Sequence, residues 1–99
     1  MGYYMTISSC SLEGRSPVKL DPEYWLILED GDKISIKPAE WWFKWGDWFI
    51  EDLKAMAKAG VKGEVIMYGE QGDWIKYVLK DGKILEYEGE IIFKRARSI

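Results

Sequence analysis

Apolar and polar side chains alternate along several short stretches of this chain, and only one stretch keeps the longer period of a helix. At positions 3–12, Tyr3, Met5 and Ile7 fall on one side and Thr6, Ser8 and Cys10 on the other, which predicts a strand. Gly14-Arg15-Ser16-Pro17 breaks it, and Asp21-Pro22 marks a second turn. Positions 24–28 and 33–37 flank Asp30-Gly31, a dipeptide that favours a two-residue hairpin loop with both central residues at positive φ. That loop pairs Glu29 with Asp32 and gathers Trp25, Ile27, Ile34 and Ile36 on the expected core face. Leu26, Leu28, Lys33, Ser35 and Lys37 take the other face. A further strand follows at 63–68.

A second Asp-Gly pair, Asp81-Gly82, joins 74–80 to 83–93. With Lys80 opposite Lys83, Val78 faces Leu85, Lys76 faces Tyr87 and Trp74 covers Gly89. Together with Ile91 and Phe93 these form the expected core face, leaving Ile75, Tyr77, Leu79 and Ile84 with Glu86, Glu88 and Glu90 on the reverse. The helical period runs through Phe49, Leu53, Met56, Ala57 and Gly60, with Lys54 and Lys58 facing away. It predicts a principal helix over 48–59, capped by Asp47 and stopped by Gly60. Pro38-Ala39-Glu40 also suits a helix start, and the run Trp41-Trp42-Phe43-Lys44-Trp45 fits helix or strand equally. The resulting fold class is α+β: an antiparallel sheet of five or six strands built from hairpins, with one principal helix packed on a face.

Ninety-nine residues fit one domain, 1–99. Composition changes the picture in three ways. Six Trp and six Tyr can close a small core, since each buried aromatic removes about 150–250 Å² from water. A net charge of −3 argues against a general binder of phosphate backbones, although Lys94, Arg95 and Arg97 cluster near the end. One cysteine, Cys10, forbids an internal disulfide and suits a reducing, cytoplasmic setting, where it reads as a half-buried small residue. Neither a signal-peptide pattern nor an apolar run of membrane-spanning length is visible. The chain has no Asn, no His and a single Gln, the bias of proteins from hot environments.

The absence of His also removes the usual general base near neutral pH and every His-dependent triad. The serines lack a nucleophile elbow, and no phosphate-cradling glycine loop is present. Glu70 lies in the loop Gly69–Gly72 and Asp73 directly follows it; the pair invites an acid–base or hard-cation reading, but turn formation explains it better. The expectation is therefore no enzyme, no metal and no cofactor.

Met1-Gly2-Tyr3, Lys44-Trp45, Glu51-Asp52-Leu53-Lys54 and the hairpin Gly69-Glu70…Gly72-Asp73-Trp74…Lys76-Tyr77…Asp81-Gly82-Lys83 occur in this order. In this the chain resembles small uncharacterised proteins encoded by bacteriophages and prophages. The resemblance implies a mobile-element origin and no particular chemistry.

Two binding readings remain. The aromatic run 41–49 carries more ring surface than so small a domain readily hides, and tryptophan is favoured at interface hot spots. Trp41, Trp42 and Trp48, with the acidic ladder Glu86, Glu88 and Glu90, are the expected contacts for a protein partner such as a basic host factor, or for a second copy of the chain. The alternative is a single-stranded nucleic-acid-binding domain that uses Tyr3, Tyr4, Trp74 and Tyr77 with Lys76, Lys80, Lys94 and Arg95.

Overall fold

Hairpin chemistry sets most of the architecture. The computed structural model describes residues 3–88. These form β1 (Tyr4–Gly14), β2 (Trp25–Asp30), β3 (Lys33–Pro38), β4 (Trp42–Lys44), α1 (Asp47–Lys58), β5 (Lys62–Gly69), β6 (Trp74–Lys80) and β7 (Lys83–Glu88). All pairings are antiparallel, in the order β2-β3-β1-β5-β6-β7, and β4 also pairs with β1. The α+β class is correct, but the sheet has seven strands rather than five or six. The additional one is β4, drawn from the Trp-rich run. It occupies the edge of β1 at Tyr4–Thr6, while β3 holds the same edge at Leu12–Gly14.

Only one of the two hairpin loops follows its expected geometry. Asp81 and Gly82 both take positive φ, 54° and 76°, and Lys80 pairs with Lys83 as expected. At the first hairpin Gly31 takes the first loop position with φ 66°, so the loop is Gly31-Asp32 and Asp30 pairs with Lys33. A loop with positive φ only at its first residue prefers glycine at that position. The pairing slides by two residues from the expected Glu29–Asp32 match. A two-residue slide preserves faces, so Trp25, Ile27, Ile34 and Ile36 still point into the core.

Two face assignments need correction. In β1 the register shifts between Ile7 and Ser9, making Ser8 an extra residue. Before this bulge Met5 and Ile7 point inward; after it Cys10 and Leu12 do, so Cys10 lies on the core side and not opposite Ile7. In β6–β7 the expected faces are inverted. Tyr77 and Leu79 are buried, with Ile75 and Ile84 packed beside them, whereas Leu85 and Tyr87 remain exposed. The expected partners Gly89, Ile91 and Phe93 lie outside the described residues.

The helix buries Phe49, Leu53, Met56 and Ala57, the stripe read from the sequence. Burying Phe49, Leu53 and Met56 contributes roughly 1.5–3 kcal/mol each, and the Ala57 methyl less. Its N-cap is Gly46, not Asp47; Asp47 occupies the first turn, where its charge suits the helix dipole. At the other end Gly60 (φ 90°) lets its N–H reach the Ala57 carbonyl and the Val61 N–H reach that of Met56. Pro38 starts no helix: it ends β3 opposite Trp25. The Trp25 Nε1–H donates to Asp52 Oδ2 at 2.8 Å, tying α1 to β2 across the core. No described helix is long and apolar enough to cross a membrane.

Candidate functional site

Because α1 covers one face of the sheet, strand alternation determines what the other face presents. In β4, Phe43 turns inward opposite Met5, and Trp42 turns outward opposite Thr6. Thr6 in turn pairs with Tyr68, and Tyr68 with Trp74. The outer face therefore carries a row Trp42, Thr6, Tyr68, Trp74, with Tyr4 beside it. The Tyr68 and Trp74 rings lie 4.9 Å apart and those of Tyr4 and Trp42 5.9 Å apart. Further along β5 and β6 the same face shows Ile66, Lys76 and Tyr87, with the Lys76 ammonium 5.3 Å from the Tyr87 ring.

Positive charge collects here although the whole chain is acidic. By strand parity Lys33, Lys37, Lys44, Lys62, Lys76, Lys80 and Lys83 all stand on the outer face. Its acidic members are Glu13, Asp30 and Glu64; Glu13 pairs with Lys33 at 3.8 Å and Glu64 with Lys76 at 4.0 Å. Lys80 and Lys83 face each other directly across the β6–β7 ladder, and Lys62 continues their row. Like charges placed opposite each other destabilise a ladder when nothing neutralises them. The aromatic row and this lysine row are six residues apart along β5, about 20 Å at strand rise.

The aromatic run 41–49 divides between core and surface. Phe49 is 1% exposed and stacks on Phe43 at 4.8 Å. Trp45 and Trp48 are half-buried, and Trp48 stacks on Tyr24 at 4.3 Å. Trp41 and Trp42 keep 48% and 58% of their surface exposed. Beside them opens a cleft of about 570 Å³. Tyr4, Trp42 and Lys44 form part of its wall, together with Tyr24, Trp48, Glu23 and Glu40.

The expected site residues do not stay together. Trp42 is on the outer face and Trp48 packs toward the core, while Glu86, opposite Tyr77, stands on the helix side near the far edge. Between Trp42 and Glu86 lie β1, β5 and β6. The side chain of Glu88, and all of Glu90, fall outside what the structure describes. In the alternative set, Tyr4, Trp74, Lys76 and Lys80 do share the outer face. Tyr77 does not: it is 3% exposed and packs near Phe49. Lys94 and Arg95 lie outside the described residues.

Tyr3 serves the scaffold. Its hydroxyl donates to Asp73 Oδ1 and accepts from the Gln71 N–H, and the Tyr4 N–H donates to Glu70 Oε2 at 2.6 Å. The hydrogen bond to Asp73 raises the Tyr3 phenol above its ordinary pKa. The loop carboxylates Glu70 and Asp73 thus clasp the start of β1. Gly69 allows the approach, since a Cβ there would sit within 2.3 Å of the Tyr3 hydroxyl. Sequence reasoning missed Tyr68, Tyr87, Lys44, Lys62 and Lys83. Lys83 and Tyr87 were already paired with Lys80 and Lys76 through the Asp81-Gly82 hairpin, whereas Lys62 and Tyr68 join this face only through the pairing of β5 with β6, and Lys44 only through that of β4 with β1.

Among the described residues, fold and surface define a sheet domain with one layer of strands under one helix, and with rings and lysines on the face opposite α1. Compared with protein families, curated proteins and solved structures, the chain matches none.

Proposed function

We propose that this domain binds single-stranded nucleic acid on the sheet face opposite α1, without catalysis. The observation that carries the reading is the row of Trp42, Tyr68 and Trp74, with Tyr4 beside it, on the face that also holds Lys62, Lys80 and Lys83. Unpaired bases stack on such rings for about 1–3 kcal/mol each, whatever their sequence. Phosphates neutralise the lysines and relieve the Lys80–Lys83 repulsion. The net charge of −3 is no obstacle, because a ligand responds to the local field and distant charges are screened beyond about 8–10 Å.

The test is a titration of tryptophan fluorescence with oligothymidylate at about 50 and about 200 mM salt. The expected result is a quench whose affinity falls with salt, log K dropping by about 0.7 per unit of log salt for each phosphate neutralised. No quench, or one indifferent to salt, overturns the proposal.

The exposure of Trp41 and Trp42 also favours a second reading, docking of a protein partner. That reading predicts association lost in a Trp41→Ala, Trp42→Ala variant and insensitive to competing oligonucleotide.

A further inference from the structure

The two carboxylates in the cleft do not fit a surface that only tracks phosphates. Glu23 and Glu40 line it, and they repel a nucleic-acid backbone. Yet the cleft is continuous with the outer face through Tyr4, Trp42 and Lys44, so a strand lying on that face passes its mouth. Its volume, about 570 Å³, lies in the range of small-ligand pockets. Its rings include the stacked pair Tyr24–Trp48, with Tyr24 39% exposed.

A carboxylate can bind a base directly by accepting hydrogen bonds from N–H groups on its edge. On their Watson–Crick edges adenine and cytosine present one amino group beside a ring nitrogen that is itself an acceptor and repels a carboxylate. Thymine places its single N–H between two carbonyl oxygens. Guanine alone offers two adjacent donors, N1–H and the N2 amino group, spaced to meet both oxygens of one carboxylate.

We propose that the cleft is a guanine-selective subsite. A base splayed out of the bound strand stacks on the cleft rings and donates its N1–H and N2–H to Glu23 or Glu40. Lys44, at the shared rim, holds the phosphate of that nucleotide. Lys44 and one of the two carboxylates then have a role, and the site confers sequence preference on a face whose stacking is sequence-tolerant. This inference rests on the nucleic-acid reading given above.

The experiment compares three oligonucleotides in the same fluorescence titration: oligothymidylate, the same strand with one central guanine, and the same strand with hypoxanthine in that place. Hypoxanthine keeps N1–H and lacks the N2 amino group. The expected result is that the guanine strand binds about ten-fold more tightly than either of the others. That preference is expected to disappear in Glu23→Gln or in Glu40→Gln, while oligothymidylate binds each variant at least as well as it binds the native chain. Equal affinity for guanine and hypoxanthine strands, or a preference that survives in both variants, overturns the subsite alone. If none of the three strands binds, the nucleic-acid reading itself falls.

Discussion

At the scale of single residues, Cys10 owes its surroundings to the extra residue beside it. The bulge at Ser8 turns the thiol toward the core, where its Sγ lies 3.7 Å from the Ile36 carbonyl oxygen. Burial pushes its pKa up to about 11 from an ordinary 9.0, even though Lys37 pulls the other way. A raised acid pKa means that the unfolded chain loses this proton first. The protonated thiol therefore contributes its full stabilisation below about pH 9, and that contribution is lost as pH rises toward 11. The expected outcome is alkylation of native Cys10 at pH 8 that is slower than in urea by about the hundred-fold difference in thiolate fraction. Denaturation should also show a loss of stability between pH 9 and 11 that is smaller in Cys10→Ala, where the raised Tyr3 phenol still contributes. Equal labelling rates in the folded and unfolded chain would refute the assignment. Nothing in the alternation of 3–12 reveals the bulge, because Ser8, Ser9 and Ser11 are small and polar enough to stand on either side.

At the scale of elements, the features that local chemistry dictates were legible. The helix stripe was read correctly and its limits differ by one residue at each end, Asp47–Lys58 against 48–59. Asp81-Gly82 was legible because both residues tolerate positive φ; Asp30-Gly31 misled because the same pair serves another loop one residue later. Two glycines separate conformational from steric demands. Gly60 has φ 90° and open space around it, so Gly60→Ala is expected to cost about 1 kcal/mol through backbone strain. Gly63 has φ 136°, and a Cβ would lie 1.8 Å from the Ser11 carbonyl oxygen. Gly63→Ala is expected to cost more than 2 kcal/mol, since β1 and β5 must also move apart. Urea denaturation ranks the pair, and equal losses would show that the close approach at Gly63 has no energetic weight.

At the scale of the whole molecule, the faces of β6 and β7 could not be told apart from sequence because both are apolar. Ile75, Tyr77 and Leu79 alternate with Trp74, Lys76 and Val78, and only the position of α1 decides which set is covered. The same ambiguity hid the candidate site: rings that stay in water look like core rings until the layers are assembled. The separation of charge between the two sides gives a controlled prediction. Lys62→Glu with Lys83→Glu on the sheet and Lys54→Glu with Lys58→Glu on the helix change net charge equally. Only the sheet pair is expected to abolish oligonucleotide binding, and equal weakening by both pairs would show that total charge governs the association. A last consequence follows from the loop that clasps the start of β1. Glu70 holds the Tyr4 backbone and Asp73 the Tyr3 hydroxyl, so the stretch of β1 that carries Tyr4 is tied to the loop between β5 and β6. An incoming molecule then need not order this backbone, and association should proceed at the pace of encounter, with no slow rearrangement to follow.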